Sequence, residues 1–337
     1  MAQVLRIILF AELILYAASA LWCRMVIAWP WPVSLSAALL VPFALRTSLI
    51  GATFAVALRH QDQPATPPAG SPTRSESVRC WWRAFVSESI APIAFMSLYG
   101  PFDKLLLRDS VPDKFQAHER APEQANEQAI VLLVHGYLSN RGIWWRYAHA
   151  LRRRGNYVAA VDLTPPLASL ETFIVALDAA VERHRRLTGR RRVILIAHSM
   201  GGLVSRAWLA RRVDPEVVLL ITIGTPHCGT RLAPMAIGQC AREMRESSKW
   251  SGELTAIETP TSRSRIVSIR SSQDNVVVPA RSAQLDGAQN IVVDGVGHLA
   301  TTTDREILTR VLQLVANAGA GSGQHVEQVR MPSNGTH

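Results

Sequence analysis

The chain lacks the signatures of several chemistries. No His-Glu-x-x-His stretch and no Cys-x-x-Cys pair occurs, so neither a catalytic metal nor a cofactor is expected. Its four cysteines, Cys23, Cys80, Cys228 and Cys240, have no framework spacing. A Cys228–Cys240 link would close a loop in an oxidising compartment, and free buried thiols are the simpler reading. The net charge is +10, nearly all of it from arginine, without the recognition motif or aromatic interleaving that nucleic acid binding requires.

Long apolar runs are present instead. Residues 1–60 hold two of them, Ile7 to Trp22 and Val33 to Leu58, on either side of Pro30 and Pro32. The second exceeds the roughly 20 residues that span a bilayer, and the first reaches that length with its flanks. Trp22, Trp29 and Trp31 suit an interfacial belt. The pattern predicts a transmembrane helical hairpin that anchors the chain. Glu12 and Arg46 interrupt it, and antiparallel packing about residues 29–31 brings them within about one helical turn, so they are expected to pair.

Ala18-Ser19-Ala20 also fits a signal-peptide cleavage site, but Glu12 breaks the apolar region such a peptide needs, and the second run would remain as an anchor. Arg59, Arg74, Arg79 and Arg83 follow the second span, against Arg24 alone between the spans. The positive-inside tendency therefore predicts an integral protein of the inner cell membrane with its main domain on the cytoplasmic side.

Residues 61–127 read as a connecting segment: a Pro/Ser/Thr-rich linker from Gln61 to Ser77, then an apolar stretch from Ala84 to Phe102 that contains Ser87-Glu88-Ser89 and Pro92. That stretch is open between packing on the following domain and lying in the membrane interface. Residues 128–316 alternate strand and helix: strands at 130–134, 157–161, 192–197, 217–223, 265–270 and 290–294, and helices near 141–153, 169–187 and 201–212. This is an α/β pattern, a mostly parallel doubly wound sheet with helices on both faces and its active end at the carboxyl ends of the strands.

Residues 231–260 have the length of a small lid, with Leu232, Met235, Ala236, Ile237, Met244, Trp250 and Leu254 as an apolar inner face, or of an ordinary packed helix. Residues 317–337, rich in Gly, Ser, Gln and Asn, read as a disordered tail. Arginine clusters at 152–154, 183–192 and 211–212 close three of the helices, where cations complement the helix dipole. Together they would make one basic face opposite the active end, either solvated or matched to anionic lipid.

The most informative stretch is Val193-Ile194-Leu195-Ile196-Ala197-His198-Ser199-Met200-Gly201-Gly202, an apolar strand running into a serine between small residues and then into a helix. Ala197 and Gly201 permit the close strand–helix approach that a nucleophile elbow demands, with Ala197 standing where glycine is usual. With this motif the chain resembles the α/β-hydrolase superfamily, and Ala-His-Ser-Met-Gly-Gly looks most like small bacterial lipases. The Gly224-Thr225-Pro226-His227 turn after the fourth strand strengthens that resemblance.

The resemblance implies a triad in chain order. Ser199 is the nucleophile, Asp274 in the loop after the 265–270 strand is the acid, and His298 after the last strand is the base. Asp294 is the rival acid, but it lies too near His298 on one strand end to reach around it. The resemblance also implies oxyanion-hole donors at the backbone N–H groups of Tyr137 and Met200, and a loop-bracing role for His135. The activity it implies is hydrolysis of carboxylic esters, lipid esters above all. An acyltransferase or thioesterase would use the same residues, and a noncatalytic membrane interaction module is the reading from another class.

Overall fold

The computed structural model describes residues 1–61, 73–107, 128–212 and 216–320. The chain opens with helices α1 (Ala2–Met25) and α2 (Trp31–Arg59), 24 and 29 residues long and packed as an antiparallel hairpin. Both are long and apolar enough to cross a bilayer. Their flanks carry large apolar side chains in the open, among them Ile7, Ile14 and Val41, which are 68%, 69% and 66% exposed. Such continuous apolar exposure calls for an apolar surrounding. Arg46 of α2 donates to the Glu12 carboxylate of α1, and Tyr16 donates to the same carboxylate at 3.4 Å.

Helix α3 (Arg74–Ala94) begins with a capping box: the Thr73 hydroxyl accepts from the Glu76 amide, and the Glu76 carboxylate accepts from the Thr73 amide. The expected linker therefore ends at Thr73 rather than Ser77; residues 62–72 lie outside the described residues. Apolar side chains at helical spacing fold α3 back onto its neighbours. Phe54 of α2 meets Trp81 and Phe85 edge-on at 5.9 and 5.8 Å. The Ala84–Phe102 stretch packs on the following domain, with Ala84, Glu88, Ala91 and Phe95 buried.

Six strands follow in one parallel sheet: β1 (Ile130–Val134), β2 (Tyr157–Val161), β3 (Val193–His198), β4 (Val217–Ile223), β5 (Ile266–Ser271) and β6 (Gln289–Val293), in the order β2-β1-β3-β4-β5-β6. Every residue of β1 and β3 is buried, as uninterrupted apolar strands covered on both faces must be. Alternate side chains divide the core. Ile130, Leu132, Val134 and Leu195 face helices α5 (Leu170–Thr188) and α6 (Met200–Arg211), while Val131, Leu133, Ile194 and Ile196 face α4 (Trp145–Arg153) and α8 (Arg305–Ala320). Helix α7 (Lys249–Ile257) lies in the 231–260 segment.

Several details depart from the sequence reading. Helix α8 continues to Ala320, so residues 317–320 are helical rather than tail; its buried Ile307, Val311 and Val315 recur every four residues. Residues 321–337 lie outside the described residues. The 231–260 segment is divided: Met244, Trp250 and Leu254 join the core, while Met235 and Ile237 are exposed. All four cysteines are free, but Cys240 alone among them is buried and Cys228 is exposed.

The third arginine cluster is paired within its own helical layer: Arg211 with Glu171 in the first turn of α5, and Arg212 with Asp178 and Glu182 further along it. The hairpin docks at the carboxyl end of the sheet. Leu5 of α1 joins the apolar cluster of Ala91 and Phe95, and Thr53 of α2 accepts from the Asn275 amide at 2.9 Å in the loop leaving β5.

An unpaired charge at the centre of a span costs about 2.5–3.5 kcal/mol. Arg46→Leu, which strands Glu12, is expected to lower the thermal stability of the detergent-solubilised protein, and the Glu12→Leu, Arg46→Leu double change to recover most of it. Additive losses in circular-dichroism melts would refute a functional pair.

Candidate active site

Parallel strands end on the same rim, and the loops leaving β3, β5 and β6 bring Ser199, Asp274 and His298 together there. Ser199 sits at φ 54°, ψ −126°, in the left-handed region disfavoured for a residue with a side chain. The turn is forced by crowding: a Cβ on Gly201 would lie 2.5 Å from the His135 carbonyl oxygen, so only glycine lets α6 start this close to β1.

The three side chains form a continuous chain of hydrogen bonds. His298 Nδ1 donates to Asp274 Oδ2 at 2.9 Å, and its Nε2 then accepts from Ser199 Oγ, also at 2.9 Å. Asp274 Oδ1 accepts from the amides of Val276 and Val277, both at 2.8 Å, which fixes the carboxylate plane. All three residues are at least nine-tenths buried. Burial alone pulls the His298 imidazole down, but the Asp274 carboxylate, its hydrogen bond and the Glu88 carboxylate outweigh it and hold the ring above its ordinary value. Asp294 is exposed at the end of β6, and His298 bonds to Asp274 instead.

The backbone of His298 is braced as well. Its N–H donates to Asn275 Oδ1 at 3.0 Å, and its carbonyl accepts from Thr301 Oγ1 at 2.6 Å and lies 3.2 Å from His198 Nε2. Desolvation, with the field of His298 behind it, holds His198 well below the usual imidazole range, so of the two rings His298 is the one poised to take up a proton.

Met200 opens α6, so its N–H belongs to the first turn, whose amides have no partner within the helix. Tyr137 follows Gly136, which packs so tightly on Ser199 that an added Cβ would lie 2.9 Å from the serine Cβ. His135 braces this loop from both ring nitrogens, at 2.9 Å to the Gly136 carbonyl and 3.0 Å to the Leu163 amide. Among the described residues no group of three His, Cys, Asp or Glu side chains is arranged to hold a metal ion.

A sequence family described as alpha/beta hydrolase fold matches residues 129–266. The chain has the α/β-hydrolase fold. No curated protein sequence matches it. Among solved structures it is similar to the mature Bacillus licheniformis lipase BlEst2, at 17% identity over 56% of this chain and 92% of that one, with TM-score 0.48. It is similar also to Aspergillus fumigatus lipase B, at 16% identity, 59% and 55% coverage and TM-score 0.48. Est1E from Butyrivibrio proteoclasticus gives 16% identity, 57% and 87% coverage and TM-score 0.43.

Within the α/β-hydrolase domain, three supports escaped the sequence reading. Thr225 Oγ1 donates to the Ser199 carbonyl at 3.0 Å, and Thr230 Oγ1 donates to the Val276 carbonyl at 2.6 Å while accepting from Val278. The Gly224–Thr230 loop thus buttresses both the serine and the acid loop. The Tyr137 hydroxyl bonds both ways to Ile237, donating to its carbonyl at 2.8 Å and accepting from its amide at 3.1 Å, and so ties the 231–260 segment to the site. The signal available was a set of hydroxyl residues in a loop leaving a buried strand, where buried polar groups must find partners.

A histidine held above its ordinary value adds stability that is complete below the free-imidazole value of about 6.5 and is lost as pH rises through the folded value. Asp274→Asn removes the cause, leaving a buried ring that resists protonation. Its destabilisation in thermal melts is expected to be larger below that pH than well above it; a pH-independent difference would contradict the pair.

Proposed function

We propose that this protein is a membrane-anchored serine hydrolase that cleaves carboxylic esters, lipid esters in particular. The observation that carries the reading is the unbroken Ser199–His298–Asp274 hydrogen-bond chain at the rim of the sheet. A serine hydroxyl is a weak nucleophile at its own pKa. His298 Nε2 takes its proton as Oγ attacks the acyl carbonyl, forming an acyl-enzyme, and returns it to the leaving alcohol. Asp274 keeps the proton on Nδ1 and stabilises the imidazolium while it exists. The N–H groups of Tyr137 and Met200 receive the oxyanion, the second aided by the positive end of the α6 dipole. Water then attacks the acyl-enzyme by the same path.

Residues 1–60 are the anchor and residues 128–316 the catalytic domain, with the arginines after α2 holding that domain on the cytoplasmic side of the inner membrane. The lipid preference is supported by where the hairpin docks. Thr53 at the end of α2 bonds Asn275, whose side chain also accepts from the His298 amide, so the anchor adjoins the active end of the sheet. An ester in the bilayer would meet that end first.

The test is labelling of the purified protein by a fluorophosphonate, followed by hydrolysis of p-nitrophenyl esters of short and long chain. Labelling that vanishes in Ser199→Ala, a loss in kcat of about a thousandfold or more in His298→Ala, and preference for long chains are expected. An unlabelled wild type would refute the enzyme reading, and release of product only on addition of an acceptor alcohol would replace hydrolysis with acyl transfer.

A further inference from the structure

Glu88 lies on α3, far in sequence from the catalytic loops, and is 4% exposed. Its Oε1 accepts from the Leu299 amide at 3.0 Å and its Oε2 from the Ala300 amide at 2.9 Å. Those are the first two amides of the short turn Leu299–Thr302, which begins directly after His298. On the other side of His298, a Cβ on Gly297 would lie 2.4 Å from the Glu88 Cβ, so the space a side chain would take at 297 is filled by Glu88. One side chain from outside the sheet thus grips the base loop both before and after the histidine.

Burying a carboxylate is costly unless its oxygens are satisfied, and an apolar residue would pack here at lower cost. Desolvation pushes Glu88 up to about 7, opposed by the positive field of His298 and by the two amides and reinforced by Asp274. The charged groups around it are His298 and Asp274 on the facing loops, with Arg83 of its own helix placed against Gly295 and 3.9 Å from Asp304.

We propose that Glu88 is a positioning residue: its carboxylate clamps the Leu299 and Ala300 amides, holds the His298 ring toward Ser199, and makes turnover depend on α3 staying docked. The proposal rests on the triad chemistry above. Its consequence is a mechanical link, since α3 follows the membrane hairpin in the chain and packs on α2 through Phe85 and Trp81.

Glu88→Gln and Glu88→Asp in the full-length, detergent-solubilised protein test it. Glutamine keeps one acceptor oxygen and loses the charge; aspartate keeps the charge on a side chain one methylene too short. Both are expected to lose roughly ten- to a hundredfold in kcat with KM changed less than about twofold. The acid limb of kcat/KM should move to lower pH in the glutamine variant and stay in the aspartate variant. Variants that melt earlier yet keep kcat and the limb would overturn the proposal and leave Glu88 a packing residue.

Should Glu88→Gln fail to fold, Gly297→Ala, which displaces the clamp from the opposite side, decides by the same kcat criterion. An unlabelled wild type would refute the hydrolase reading, and the clamp is then read from the His298 imidazole titration by NMR. Glu88→Gln should lower that titration, and an unchanged value would overturn the clamp.

Discussion

The structure depends on one imidazole being held from every side. His298 is bonded through Nδ1 to Asp274, through Nε2 to Ser199 and through its amide to Asn275, and its loop is gripped by Glu88. None of these partners is near it in sequence except through the sheet. A parallel sheet places all strand carboxyl ends on one rim, and the order β3-β4-β5-β6 sets the loops after β3, β5 and β6 within reach of one another. The strain at Ser199 persists because the crowding of Gly201 against β1 and the Thr225 bond leave the turn no other conformation.

The same rim carries the N-terminal apolar helices. Helices α2 and α3 contact the acid and base loops directly, through Thr53 with Asn275 and Glu88 with Leu299 and Ala300. The N-terminal helices are therefore part of the scaffold around the site. Acidic side chains of α5 neutralise Arg211 and Arg212 at the end of α6.

The sheet was legible because apolar runs of five to seven residues, such as Ile130–Val134 and Val217–Ile223, alternate with helical spacing, and burial on both faces leaves no other use for them. That Ser199, Asp274 and His298 would meet was legible from the elbow motif and from the chain order Ser, Asp, His that the resemblance implies, in loops after β3, β5 and β6. The Glu12–Arg46 contact followed from the position of the turn alone. Glu88 was not legible as a support. In a helix bearing three arginines and Glu76 it reads as a solvated charge, and only tertiary contact with a loop more than two hundred residues away gives it a role. The end of α8 was missed for a different reason. Asn317, Ala318, Gly319 and Ala320 are the small and polar residues of a tail, and packing of the preceding turns carries the helix through them.

The central claim is that His298 is locked in one tautomer by Asp274 and one orientation by Ser199. Nitrogen-15 NMR of imidazole-labelled protein tests it most directly. The account predicts His298 protonated on Nδ1 and bare on Nε2 when neutral, titrating above an ordinary histidine. A ring protonated on Nε2, or one titrating like an exposed histidine, would contradict it.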